Sequence, residues 1–91
     1  MGIKRYHIRV DGIVQGVGFR YFTLRVARMF SIKGWVRNMP DESVEIEAEG
    51  EEENLKLFLE KIKEGPPAAR VEKIWVSELP PYGYQIFEIR F

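Results

Sequence analysis

The chain has 91 residues, of which 45% are hydrophobic, so it can form one small domain but has too little core for a second. It contains no cysteine, which excludes disulfides, thiol catalysis and zinc–thiolate sites, and it has no apolar run of about 18 residues that could span a membrane. Its 14 basic residues balance its 14 acidic residues, which argues against a nucleic-acid-binding surface, and we expect a single cytoplasmic domain over residues 1–91.

The first part of the chain predicts a strand followed by a helix. Tyr6, Ile8 and Val10 alternate with polar residues, which is typical of a strand with one buried face. Apolar residues then recur at helical spacing, which predicts a helix from about Phe19 to Phe30. The stripe that this helix would bury consists of Phe19, Phe22, Val26, Met29 and Phe30.

Residues 33–49 predict a β-hairpin around a turn at residues 38–41. Apolar residues of its second strand alternate with glutamates. We expect the glutamates to form a solvated face of this strand: Glu45, Glu47 and Glu49. Acidic residues at 51–53 then begin a second helix, which ends at Gly65-Pro66-Pro67. The apolar residues of that helix are Leu55, Phe58, Leu59 and Ile62.

Two more strands are predicted, over residues 71–78 and 84–91, the second with Phe87, Ile89 and Phe91 on one face. The order β-α-β-β-α-β plus a closing strand favours an α+β ferredoxin-like sandwich, with two helices on one face of an antiparallel sheet. In this topology the first two strands run parallel with the third between them. Their ends therefore lie roughly 10 Å apart at the same edge of the sheet.

The segment between the first strand and the first helix predicts an anion site. Gly16 and Gly18 permit a sharp turn without a Cβ to block a ligand, and the N–H groups that begin a helix have no intrahelical acceptor. Arg20 adds a fixed charge and a planar set of donors. Residues 15–20 therefore predict a cradle for phosphate, although the same residues also suit a tight turn beside a surface arginine.

Asn38 ends the second predicted strand and so faces the same space as the cradle. Its amide could orient a water molecule as donor and acceptor, or it could simply belong to the Asn-x-Pro-Asp turn. His7 is the only histidine and is expected at the surface, away from the cradle. Nothing therefore supports catalysis by a histidine-activated nucleophile, and we expect neither a metal nor a cofactor.

Two segments resemble the signature motifs of the acylphosphatase family. The first is Gly12-Ile13-Val14-Gln15-Gly16-Val17-Gly18-Phe19-Arg20. The second is Gly34-Trp35-Val36-Arg37-Asn38, followed by Val44 and Gly50 at the expected spacing. One position departs from the pattern, because Glu42 stands where the second motif usually has glycine, and this concerns the detailed shape of the hairpin turn. The resemblance covers essentially the whole chain and implies one ferredoxin-like domain.

The resemblance implies hydrolysis of the carboxyl–phosphate bond of acyl phosphates, which gives a carboxylate and inorganic phosphate without a metal or cofactor. It makes Arg20 and Asn38 the catalytic residues, with Asn38 holding the attacking water. It assigns phosphate binding to the Arg20 guanidinium and to the loop amides of Gln15, Gly16, Val17, Gly18, Phe19 and Arg20.

The expected partner is a small acyl phosphate, with no nucleic acid and no membrane, and the expected state is a monomer or weak dimer. Two alternatives remain open on the residues alone. A module of this fold could bind RNA, or it could bind phosphate or carbamoyl phosphate within a larger assembly, in each case without turnover.

Overall fold

The structure, a computed structural model, describes residues 2–91 as two helices packed on a five-stranded sheet. The elements are β1 (Ile3–Ile13), α1 (Phe19–Met29), β2 (Lys33–Asn38), β3 (Val44–Glu51), α2 (Glu52–Glu64), β4 (Arg70–Leu79) and β5 (Phe87–Arg90). The strand order is β4-β1-β3-β2-β5, which confirms the predicted ferredoxin-like α+β fold. Within residues 2–91, no helix is long and apolar enough to cross a membrane.

The sheet is mixed, whereas a wholly antiparallel sheet was predicted. β1 runs antiparallel to β3 and β4, and β3 runs antiparallel to β2, but β5 runs parallel to β2 with Phe87 opposite Gly34. The reason is that β4 and β5 occupy opposite edges, so residues 80–86, here called the crossing segment, traverse the sheet before β5 begins. β5 is also shorter than the predicted strand at 84–91.

The apolar stripes of the sequence form the core between the helices and the sheet. Its fully buried residues include Ile8, Val10, Phe19, Val36, Val44, Ile46, Leu55, Phe58 and Ile62. Two residues that the sequence predicted for the buried faces are not buried. Met29 is 65% exposed because it lies at the last turn of α1, where Ile32 fills the core instead, and Phe91 is 98% exposed because it lies beyond the end of β5.

The predicted solvated glutamate face of β3 is wrong for Glu47 and Glu49, which are only 4% and 5% exposed. The crossing segment covers them on the side of the sheet that faces away from the helices. Glu47 accepts hydrogen bonds from Arg5 Nη1 at 2.7 Å and from the Tyr84 hydroxyl at 3.3 Å. Its charge is therefore paired with an arginine, as a buried carboxylate requires.

Glu49 fastens the backbone of the crossing segment. Its carboxylate accepts the N–H of Tyr82 at 2.7 Å and the N–H of Gly83 at 2.9 Å. Hydrogen bonds from N–H groups to an ionised carboxylate are stronger than those to a neutral acceptor. Residues 82 and 83 are thus held against β3 by a side chain.

Glu45 lies on the same side of the sheet and is hydrogen-bonded to His7 and Arg37. His7 Nε2 is 2.6 Å from Glu45 Oε2, and Arg37 Nε donates to Oε1 at 2.7 Å. Burial raises the pKa of Glu45, but the hydrogen bonds from His7 and Arg37 outweigh it and hold that pKa below its ordinary value. His7 is partly exposed, as predicted, and its partner is a carboxylate.

The turn between β2 and β3 closes at residues 39–43 and contains a strained residue. The N–H of Met39 donates to the carbonyl of Ser43 at 2.9 Å, and the N–H of Glu42 donates to the carbonyl of Met39 at 3.1 Å. Glu42 has φ +73°, the left-handed conformation that glycine adopts without steric cost. The turn therefore has the backbone conformation that a glycine would adopt, and this conformation is strained at Glu42.

Replacing Glu49 with glutamine tests how firmly the crossing segment is held. We expect Glu49→Gln to lower the free energy of unfolding by about 1–3 kcal/mol, because two backbone N–H groups lose their charged acceptor. Urea denaturation at neutral pH measures this. The control is Glu64→Gln at the exposed end of α2, which should change stability by less than about 0.5 kcal/mol. Equal stability of the two variants would contradict the assigned role.

Replacing Glu42 with glycine tests the strain in the turn. We expect Glu42→Gly to raise the free energy of unfolding by about 1 kcal/mol, because glycine has no Cβ to clash in the left-handed conformation. Glu42→Ala is the matched control, since it removes the carboxylate but keeps the Cβ, and it should give no such gain. A gain of the same size from alanine would point to the lost charge as its cause.

Candidate active site

The loop after β1 turns into α1 through two glycines with left-handed backbones. Gly16 has φ +73° and Gly18 has φ +77°, and a Cβ added to either would meet nothing within 4 Å. These positions therefore favour glycine for backbone conformation, and the space beside them stays open. Gly18 is the N-cap of α1 and offers no side-chain cap, and the first turn of α1 has no acidic residue. Its N–H groups are thus left for an anion.

A small cavity of about 90 Å³ lies where this loop meets the end of β2. Its lining residues are Val14, Gly16, Gly18, Phe19, Arg20, Tyr21 and Asn38. Pockets for drug-sized ligands are larger, roughly 300–1,000 Å³, so this cavity suits a small oxyanion. The structure therefore brings Arg20 and Asn38 to one cavity although they are 18 positions apart in the sequence.

Asn38 presents an unsatisfied acceptor at this cavity. Its Oδ1 is buried and has no hydrogen-bond partner among residues 2–91. Leaving a buried acceptor without a partner costs about 1–3 kcal/mol, and such atoms call for an explanation in a folded protein. Because Asn38 lines the cavity, a donor that enters it, such as the O–H of a water molecule, can satisfy this acceptor.

Arg20 holds an uncompensated positive charge in the first turn of α1. It forms no ion pair with any of the residues from 2 to 91 that the structure describes, and its guanidinium carbon lies 4.8 Å from the centre of the Phe91 ring. A guanidinium that lies over an aromatic ring still has its N–H donors, which point outward in the guanidinium plane, free for other partners. The Phe91 ring, itself 98% exposed, therefore leaves the charge of the cation unneutralised.

Gln15 connects the loop to the hairpin turn, a role that the sequence did not suggest. Its Nε2 donates to the carbonyl of Met39 and to the carbonyl of Ser43, both at 2.8 Å. The side chain is thus engaged with the turn, which leaves the backbone amide as the group that could bind an anion. Neither Gln15 nor Val17 is among the residues that line the cavity. Only the folded topology reveals this bridge, because its two ends lie more than 20 positions apart.

Asp41 braces the same turn. Its carboxylate accepts hydrogen bonds from the hydroxyl and the backbone N–H of Ser43, the latter at 3.0 Å, and lies 3.1 Å from Arg9 Nη2. The bond from the Ser43 hydroxyl, followed by the backbone bond, lowers the pKa of Asp41. Throughout residues 2–91, no group of three or more histidine, cysteine, aspartate or glutamate side chains could hold a metal ion.

Comparisons with known proteins agree on one family. The family model described as Acylphosphatase matches residues 6–89. The chain is 54% identical over 89 residues to "Acylphosphatase" of Thermotoga maritima, covering 98% of this chain and 99% of that protein. It is similar to the crystal structure of acylphosphatase from Bacillus subtilis, at 45% identity and a TM-score of 0.94, over 97% of this chain and 99% of that one. It is also 42% identical to T. kodakarensis HypF, at a TM-score of 0.85, over 97% of this chain and 12% of HypF.

Removing the Gln15 amide tests the bridge between the loop and the turn. We expect Gln15→Ala to weaken the binding of inorganic phosphate about five-fold or more, because the loop loses two hydrogen bonds worth roughly 1 kcal/mol each. Isothermal titration calorimetry measures the change. Gln85→Ala is the matched control, since the exposed Gln85 amide donates only to the nearby Gly83 carbonyl. Unchanged phosphate binding in Gln15→Ala would show that the loop holds its shape without the bridge.

Proposed function

The chain belongs to the acylphosphatase family and hydrolyses the carboxyl–phosphate bond of acyl phosphates, and we propose that Arg20, Asn38 and the backbone amides of residues 15–20 carry out this reaction. The observation that supports this assignment best is the buried Oδ1 of Asn38, which has no partner in the described part of the chain, residues 2–91, and belongs to a residue that shares a small cavity with Arg20. One group is suited to a water molecule and the other to a phosphoryl group.

The phosphoryl group of the substrate is bound by the loop and by Arg20. The dianion accepts hydrogen bonds from the backbone N–H groups of residues 15–20 and from the Arg20 guanidinium, whose charge no carboxylate among residues 2–91 offsets. The positive end of the α1 dipole adds to this attraction. Because the glycine backbones set the loop N–H groups in advance, little reorganisation of the loop is needed as charge develops in the transition state.

Asn38 positions the attacking water. Its Oδ1 accepts one O–H of the water, which leaves an oxygen lone pair directed at phosphorus on the side away from the leaving group. Holding the nucleophile in line converts a bimolecular encounter into a step within one complex, and such positioning can contribute several kcal/mol, about 7–11 in well-aligned systems. Asn38 thus orients the water but takes no proton from it.

The protons and charges balance without an acid or base from the protein. The bond from phosphorus to the water oxygen forms as the bond from phosphorus to the carboxyl oxygen breaks, and the electron pair leaves with the carboxylate. A carboxylate is a weak base and departs unprotonated. No histidine, aspartate or glutamate lines the cavity, so a phosphoryl oxygen of the substrate accepts the proton of the water. The products are the carboxylate and inorganic phosphate.

We further propose that residues 1–91 act as one cytoplasmic domain on small molecules, as a monomer or weak dimer and without nucleic acid or membrane partners. The zero net charge supports this, since a nucleic-acid-binding domain would carry a basic excess. The similarity to a 12% portion of HypF shows that a domain of this kind also occurs within a larger protein. A module that binds phosphate or carbamoyl phosphate without turnover is therefore the competing interpretation that an assay must separate.

Three substitutions test the catalytic assignment by hydrolysis of acyl phosphate with a chelator present. Arg20→Ala should lose at least about 10²–10³-fold in rate, and Arg20→Lys should also be poor because an ammonium cannot reproduce the planar donors. Asn38→Ala should abolish turnover but still bind inorganic phosphate. Arg25→Ala is the control, since Arg25 is an exposed cation on the same helix and its loss should leave the rate unchanged.

Two results would contradict the proposal. Normal turnover by Asn38→Ala would remove Asn38 from the reaction. Binding of phosphate by a folded wild-type protein that hydrolyses no acyl phosphate would favour the binding module instead.

A further inference from the structure

The acyl group of the substrate has to lie outside the cavity that takes the phosphoryl group. The cavity holds only about 90 Å³, which leaves no room for a benzoyl or longer acyl group beside the phosphate and the water. The acyl group therefore rests on whatever surface borders the opening. Among the lining residues, Tyr21 is the one large side chain that is mostly exposed, at 65%.

The position of Tyr21 in α1 places this residue at the edge of that opening. The buried face of α1 consists of Phe19, Thr23, Val26 and Ala27. Tyr21 is two positions from both Phe19 and Thr23, so it lies about 200° around the helix from each of them, on the outer face. Side chains of a helix lean toward its N-terminus and cover the preceding turn, which here is the loop that forms the cavity.

The ring of Tyr21 is also uncommitted. It has no hydrogen bond and no ring contact with any other residue between 2 and 91. Phe91, the other exposed aromatic residue next to the site, lies beyond the end of β5 with its ring centre 4.8 Å from the Arg20 guanidinium carbon. Tyr21 therefore offers apolar and aromatic surface that substrate can cover, and covering such surface is favourable.

We propose that the Tyr21 ring is the platform on which the acyl group rests, so that it favours aromatic acyl phosphates over acetyl phosphate. The inference rests on the proposed function, because it assumes that Arg20 and the loop hold the phosphoryl group. The phosphoryl contacts are common to every acyl phosphate and cannot discriminate among them. Tyr21 is the residue that distinguishes one acyl group from another.

The test compares two substrates in each variant, so that general losses of activity cancel. We expect the ratio of kcat/KM for benzoyl phosphate to that for acetyl phosphate to fall about 2- to 10-fold in Tyr21→Ala, the range expected for one aromatic contact. Tyr21→Phe keeps the ring and should keep the ratio. Tyr82→Ala removes a tyrosine that is 71% exposed on the crossing segment, and it should keep the ratio as well.

A binding measurement separates failure of the platform from failure of the proposed function. The acylphosphonates, whose carbon–phosphorus bond is not hydrolysed, are titrated calorimetrically as benzoylphosphonate and acetylphosphonate. Tyr21→Ala should reduce the preference for the benzoyl compound by the same factor. An unchanged preference in Tyr21→Ala would overturn the platform, whether or not the wild type is active. If the wild type hydrolysed neither acyl phosphate, the proposed function would fail and the phosphonate preference would still decide the role of Tyr21.

Discussion

The site depends on β3 lying between β1 and β2 and pairing antiparallel with both. This arrangement makes β1 and β2 parallel, so the loop that follows β1 and the residue that ends β2 reach the same edge of the sheet. Strand spacing then fixes their separation at roughly 10 Å. The Gln15 amide closes the remaining gap by binding the turn that β2 enters. The proximity of Asn38 and Arg20 therefore depends on the pairing of the strands and on the Gln15 side chain.

Groups in the site are left unsatisfied in the free protein, and that is a cost to the fold. Among the described residues, the buried Asn38 oxygen has no partner, Arg20 has no counter-ion, and the first N–H groups of α1 have no side-chain cap. Elsewhere the same chain pairs its buried charges closely, as Glu47 with Arg5 shows. The contrast indicates that polar groups lack hydrogen-bond or ion-pair partners at the site where a ligand is expected to supply them.

The sequence predicts the helices, most strands and the meeting of Asn38 with the loop, because these follow from hydrophobic periodicity and from one topology. It does not predict what depends on contacts between distant segments. Glu47 and Glu49 alternate like solvated residues and are buried only because the crossing segment covers them. The parallel pairing of β5 with β2 also depends on the crossing segment, which carries the chain from one edge of the sheet to the other. Likewise, the sequence gives no sign that the Gln15 side chain binds the carbonyls of Met39 and Ser43, which only the folded turn brings near it.

The position of β1 in the sheet has a consequence for the order of folding. β1 is flanked by β3 and by β4, and β4 begins only at Arg70, while Arg5 near the start of the chain contacts the carbonyl of Pro80. Most of the chain must therefore be synthesised before β1 has both its neighbours. Sheets built from such distant pairings close their loops at an entropic cost and fold more slowly than local structures. A nascent chain that ends soon after Asn38 contains every proposed catalytic residue and lacks the strands that would hold them together.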